Sequence, residues 1–135
     1  MSLSDRAEIY LLEHMVGKNA WTMPTAYLAL CTAGPGDAAS GSGISEVTDA
    51  NNYARKATTG TDWDAAAAGA ISNSGTLSFN QASGSWGTIT HVALVSSSTW
   101  GEGYVIAWGA LTTPKAIDNG DTLSFAAGEI DITAD

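Results

Sequence analysis

Thr88-Ile89-Thr90-His91-Val92-Ala93-Leu94-Val95-Ser96 is the stretch whose reading decides the fold. Ile89, Val92, Leu94 and Val95 supply the apolar weight of a strand. Thr88 and Thr90 add β-branched side chains, which pack well on a pleated surface. Similar signals recur on both sides. Trp100-Gly101-Glu102-Gly103 reads as a turn, and residues 104–111 as the next strand. Asp118-Asn119-Gly120-Asp121 holds the Asn-Gly pair that type I′ hairpins require. Residues 122–125 and 130–133 complete the sheet. Upstream, residues 70–71 and 76–79 give short strand signals around Asn73-Ser74-Gly75. Residues 53–59 and the apolar run 25–32 read as two more strands. Strands recurring at roughly ten-residue spacing are the pattern of a sandwich or barrel, not of βαβ units.

The expectation is a mainly β chain, a jelly-roll-like β-sandwich, with one N-terminal α-helix. Residues 1–135 form a single domain, with the helix at about 3–17 and the sandwich at about 24–135. Residues 62–69 are ambiguous between a short helical turn and a strand edge. Thr76-Leu77-Ser78-Phe79 and Thr122-Leu123-Ser124-Phe125 share one tetrapeptide. Their alternation suits half-buried strands. Two equivalent strands in two facing sheets would account for the echo.

The helix begins after Ser2 or Ser4, carries Asp5 and Glu8 near its positive end and stops at Gly17-Lys18. Leu3, Ala7, Tyr10, Leu11, His14 and Met15 follow the 3.6-residue period, and Ile9, Leu12 and Val16 follow it on an adjacent face. So broad an arc has two readings. The second face is covered by another subunit or a larger structure, or the helix is sunk in its own core. Residues 37–52 form a long Ser/Gly/Asp-rich loop; unstructured loops of that length are usually functional or mobile.

Composition narrows the function. The 135 residues carry 5 Lys+Arg against 14 Asp+Glu, a formal net charge of -9. That balance speaks against nucleic acid, whose binding needs basic residues to displace counterions, and against anionic membrane surfaces. Charged residues make up 14%, against roughly 25% in average soluble chains. A surface so sparsely charged suits a subunit largely covered in its working state. No basic, apolar signal sequence and no membrane-length apolar run is visible. The expectation is a soluble protein made in the cytoplasm.

Little points to catalysis. Cys31 is the single cysteine, lies in an apolar run and reads as a small buried hydrophobe. His14 and His91 are the two histidines, and neither has metal-ligand spacing. His91 reads as a hydrogen-bonded structural residue, and His14 as a complement to the helix dipole. Asp62/Asp64, Asp118/Asp121 and Glu129/Asp131 are close carboxylate pairs that suit turn capping better than acid–base work or calcium. No enzyme, cofactor or metal site is expected. Among the five tryptophans, Trp86 and Trp108 suit the core and Trp100, in a turn, suits exposure.

A string of motifs runs the length of the chain: Leu3-Ser4-Asp5 with Leu11-Leu12-Glu13-His14, Tyr27-Leu28-Ala29-Leu30, Ser45-Glu46-Val47 and Tyr53-Ala54-Arg55. Trp86-Gly87-Thr88-Ile89-Thr90-His91-Val92-Ala93-Leu94 follows, then Trp108-Gly109-Ala110-Leu111-Thr112 and Gly120-Asp121-Thr122-Leu123-Ser124-Phe125-Ala126-Ala127-Gly128. In these the chain resembles a family of small virion proteins encoded among tailed-phage structural genes, described as tail-fibre-like or capsid decoration proteins. The resemblance implies a virion location after assembly in the host cytoplasm and no catalytic residues. It implies a decoration or cement protein on the outer head shell, bound to the major capsid protein or other virion proteins. The chain is expected to be a homo-oligomer, a trimer. A tail-fibre or tail-adaptor component is the alternative, and a carbohydrate-binding module using Trp100 and loop carboxylates is the alternative of another class. The expected contact residues are Leu3, Ile9, Leu12 and Val16 on the helix, Ile44 and Val47 in the long loop, and Trp100.

Overall fold

The computed structural model describes residues 1–37 and 40–134. Ala38 and Ala39 of the expected loop, and Asp135, lie outside the described residues. The elements are β1 (Ser2–Leu3), α1 (Asp5–Met15), β2 (Tyr27–Cys31), β3 (Lys56–Ala57), a 3₁₀ turn (Gly60–Asp62), β4 (Ala70–Ser72), β5 (Leu77–Ser78), β6 (Gly87–Val95), β7 (Val105–Ile117), β8 (Ser124–Phe125) and β9 (Asp131–Thr133). The fold is mainly β with a helix near the N-terminus.

Seven strands form one sheet in the order β3-β2-β6-β7-β1-β9-β4, and β5 pairs with β8 in a separate ribbon. The β1–β9 contact is parallel and the other pairings are antiparallel. The decisive stretch is the centre of the sheet: β6 pairs with β2 on one side and β7 on the other. Because side chains alternate, Leu28 and Leu30 point into the main core with Val92 and Leu94, while Ala29 and Cys31 point to the opposite face with Ala93 and Val95. The β5–β8 ribbon brings Leu77, Phe79, Leu123 and Phe125 onto the main core. Tyr53 packs there edge-on to Trp86, and stacked at 6.4 Å on Phe79. The sheet curls enough that residues beside both of its edge strands, β3 and β4, line one groove.

Several expectations need correction. The two Thr-Leu-Ser-Phe copies do not sit in facing sheets; they pair with each other, Leu77 opposite Phe125 and Ser78 opposite Ser124. The helix does not begin at residue 3, because Ser2 and Leu3 form a strand opposite Trp108 and Ala107. The Asp118–Asp121 turn closes with Asp121 N–H donating to Asp118 O at 3.0 Å. Gly120 takes φ +91° but Asn119 does not take a positive φ, so it is not type I′, which needs both. It links β7 to β8, strands of different sheets.

β7 runs well past residue 111. Ile89 stands opposite Lys115 and His91 opposite Ala110, so four residues, Leu111 to Pro114, bulge against Thr90 alone. A bulge is where a strand tolerates proline, which has no N–H to give the ladder.

Candidate interaction surface

Ser4 sets the helix. Its Oγ accepts from the Ala7 N–H at 3.2 Å and donates to the Val105 carbonyl at 2.6 Å. Its own N–H donates to the Ile106 carbonyl at 2.8 Å. One buried residue therefore caps α1 and fastens it to β7. Ala7 is small and fully buried, so the helix sits close to the sheet. Tyr10 packs between Trp21 and Tyr104, and the Arg6 guanidinium lies over the Tyr104 ring at 4.9 Å. At the other end Gly17 takes φ +72°, and Lys18 N–H donates to Glu13 O at 2.9 Å. His14, in the last turn of α1, accepts from the Trp21 N–H through Nδ1 at 3.1 Å and so ties down the returning chain.

The face opposite Ala7 is bare. Ile9 is 54% exposed, Leu12 61%, Met15 70% and Val16 79%. Ile9, Leu12 and Val16 are spaced by three and four residues and so share one face. Of the two readings of the broad arc, the helix sunk in its own core is excluded by this exposure. A fully buried aliphatic side chain is worth about 1.5–3 kcal/mol. Covering this stripe would contribute roughly 4–8 kcal/mol before the cost of association.

The other expected contact residues are placed differently. Leu3 is half-buried in β1, against the core. Ile44 and Val47 are buried within the chain itself, so as folded neither side chain is open to a partner. The long loop runs along the edge of β2: Glu46 bridges Cys31, Thr32 N–H donates to Ser45 O, and Val47 N–H donates to Leu30 O. Ile44 thereby covers Cys31 and Ala93 on one sheet face, and Val47 reaches the main core on the other. Trp100 is 46% exposed, with its indole N–H donating to the Val47 carbonyl at 2.8 Å.

What holds the loop is a buried ion pair. Arg55 Nε donates to Glu46 Oε1 at 2.8 Å and Nη2 to Oε2 at 2.7 Å. Nη1 donates to the Ser97 and Glu102 carbonyls, and Nη2 also reaches the Gly41 carbonyl at 3.4 Å. The Tyr53 hydroxyl donates to Glu46 Oε1 at 2.8 Å and accepts from the Leu30 N–H at 3.0 Å. Burial, and then the Glu46 charge, push the Tyr53 hydroxyl above its ordinary range, which keeps it a donor. Glu46 and Arg55 stand nine residues apart in the chain and meet only in the fold, so no local pattern marks the pair.

Groups able to carry chemistry are occupied structurally. Burial, and then Glu46, push the Cys31 thiol up to about 12. His91 Nδ1 bonds the Thr90 hydroxyl at 2.8 Å, and its ring lies against Trp108, whose indole N–H donates to Asp37 at 2.7 Å. Asp62 accepts from the Thr59 N–H, Asp121 from the Asp118 N–H and Glu129 from the Ala126 N–H, each at a turn. Among the described residues no three His, Cys, Asp or Glu side chains cluster to hold a metal ion, and no helix is long and apolar enough to cross a membrane.

The sequence model of the family described as Podophage GP4 fiber I protein gp80 matches residues 2–133. The chain belongs to this family. The match takes in α1, both sheets and the Glu46–Arg55 pair, so the podophage fiber I family covers the whole architecture described above. Membership makes the chain a tailed-phage virion structural protein. No curated protein matches it.

A groove of about 510 Å³, which no sequence pattern marks, is lined by Met23, Pro24, Trp63, Ile71, Leu94 and Ile132, together with small and threonine residues. Met23 is itself 50% exposed. It lies outside any periodic segment, so no pattern marked it.

Proposed function

We propose that the chain is a non-enzymatic building block of the podophage tail fibre, which assembles by burying the exposed α1 stripe against neighbouring protein. The observation that carries this reading is the row Ile9, Leu12, Met15 and Val16 on a helix fixed to the body by Ser4 and Ala7. Contiguous apolar surface rimmed by charge marks interaction sites, and Asp5, Glu8 and Glu13 flank this row. Of the two virion roles expected from the sequence, the fibre role has the family description behind it; decoration of the head shell rests on the resemblance and the low charge. Copies are made in the host cytoplasm and associate there, with the net charge of -9 keeping free copies apart until they dock.

Gold-labelled antibody against the chain on intact particles tests the placement. Gold confined to the tail is expected. Gold spread over the head would overturn the fibre reading in favour of decoration.

A further inference from the structure

We propose that a slot in the sheet, in line with β1 and between β7 and β9, receives a short extended segment of a partner polypeptide as an added strand. The inference goes beyond the reading of the α1 stripe. It depends neither on that stripe nor on where the particle carries the protein.

β1 fills only part of the space between its neighbours. Ser2 and Leu3 stand opposite Trp108 and Ala107 of β7, and Ser2 stands beside Thr133 of β9. The Thr133 N–H donates to the Met1 carbonyl at 2.9 Å, and the Met1 amino group donates to the Asp131 carbonyl. Past Met1 the line of β1 runs into a cleft of about 450 Å³. Ala110 and Lys115 of β7 border it on one side, and Glu129 and Asp131 on the other. The buried Val92, Phe125 and Ile130 form its floor.

Backbone parity turns ladder groups into this cleft. The Ser4 N–H donates to the Ile106 carbonyl, so the even-numbered residues of this part of β7 face β1. The β1 pairing ends at Trp108, and Ala110, next in that row, is left facing the cleft. On the other side the Asn73 N–H donates to the Ile130 carbonyl and the Ala134 N–H to the Gly69 carbonyl. Even-numbered residues there face β4, so the Asp131 backbone faces the cleft. Its carbonyl is taken by Met1, and its N–H is open to the next residue along that line. Open donors and acceptors on two facing edges are matched by an extended chain. A helix pairs its own backbone groups and has none to offer them.

Side-chain parity describes the guest. Met1 and Leu3 pack against the main core. The second guest residue counted back from Met1 falls on that same face, over Val92, Phe125 and Ile130, and is apolar. The nearby carboxylates do not compete for its backbone. Glu129 accepts from the Ala126 N–H, and Asp131 Oδ1 from the Ser72 hydroxyl. The Leu111–Pro114 bulge breaks the β7 edge beyond Ala110. It limits the guest to a few residues and keeps the edge from pairing indiscriminately.

Amide hydrogen exchange of the full chain tests this in two settings. A chain extended ahead of Met1 by Thr-Val-Thr supplies the segment in cis, and one extended by Gly-Ser-Gly is its control. The Ala110 and Asp131 amides are expected to exchange at least about tenfold more slowly in the first than in the second. Equal rates would show that the slot takes no strand and would overturn the proposal. The unextended chain is then compared free and in intact particles, by mass spectrometry of the segments around Ala110 and Asp131. Slowed exchange in both segments together is expected, because a strand bonds to both edges. Slowing in one alone, or in neither, would overturn the partner segment, whatever the gold labelling shows.

Discussion

Arg55 and Glu46 form a two-pronged ion pair, with contacts of 2.8 and 2.7 Å, whose side chains are 1% and 2% exposed. The remaining guanidinium donors reach carbonyls of Gly41, Ser97 and Glu102, so one side chain joins the long loop to the β6–β7 turn. Two buried charges are tolerable only when paired and fully hydrogen-bonded.

Removing one partner therefore costs far more than removing both. Glu46→Gln leaves the guanidinium charge buried and is expected to lower stability by about 3–5 kcal/mol. The double variant E46L/R55M is expected to be closer to wild type than E46Q. Urea denaturation followed by tryptophan fluorescence reads the difference. Additive losses in a double-mutant cycle would show that the two side chains do not act as a unit.

Gly41 permits the loop to touch the turn. A Cβ there would lie 2.0 Å from the Glu102 carbonyl oxygen, and Gly41 N–H donates to Gly103 O at 2.9 Å. Gly41→Ala should cost about 1–3 kcal/mol, as overpacking does. Its chemical-shift changes should centre on residues 97–103 and Arg55. An unchanged denaturation midpoint would show that the two backbones do not pack this closely.

Cys31 is expected to be chemically silent in the native state. Only the thiolate reacts, and burial with the nearby Glu46 raises the thiol pKa to about 12. Labelling by an aromatic disulfide reagent at pH 8 should be negligible until urea opens the chain, and then stoichiometric. Prompt labelling in buffer would place Cys31 at the surface.

Asp62 gives the 3₁₀ turn a mild acid sensitivity. Hydrogen bonds from the Thr59 N–H, at 2.7 Å, and hydroxyl hold its carboxyl below the ordinary value of 3.8. A lowered folded pKa means the contribution is present above that value and is lost as pH falls through the folded pKa. The Thr59 amide resonance should stay constant from neutral pH to about 4 and shift only below it. In Asp62→Asn that shift should vanish. A Thr59 transition above pH 4 would contradict the assignment.

Legibility followed the range of the interaction. β6 and α1 show in the sequence because period-2 and period-3.6 patterns are local. Ser4 shows because a cap is three residues from its partner. The extension of β7 to Ile117 does not, since Leu111–Pro114 break the alternation by bulging against Thr90. Ile44 and Val47 read as surface because they lie among Ser, Gly and Asp, yet the loop's bonds to β2 turn both inward. Of the contact surface, Ile9, Leu12 and Val16 were visible as a second helical face. The groove was not, because Met23, Trp63, Leu94 and Ile132 converge only when the sheet curls.

As a proposed tail-fibre subunit, the chain is expected to bury the α1 stripe when it assembles. The decisive measurement is a cryo-electron-microscopy map of the intact particle at a resolution that shows side chains. This fold is expected in the tail fibre, with Leu12 and Val16 covered by protein density. The same fold on the head shell, or in the fibre with the α1 stripe facing solvent, would contradict it.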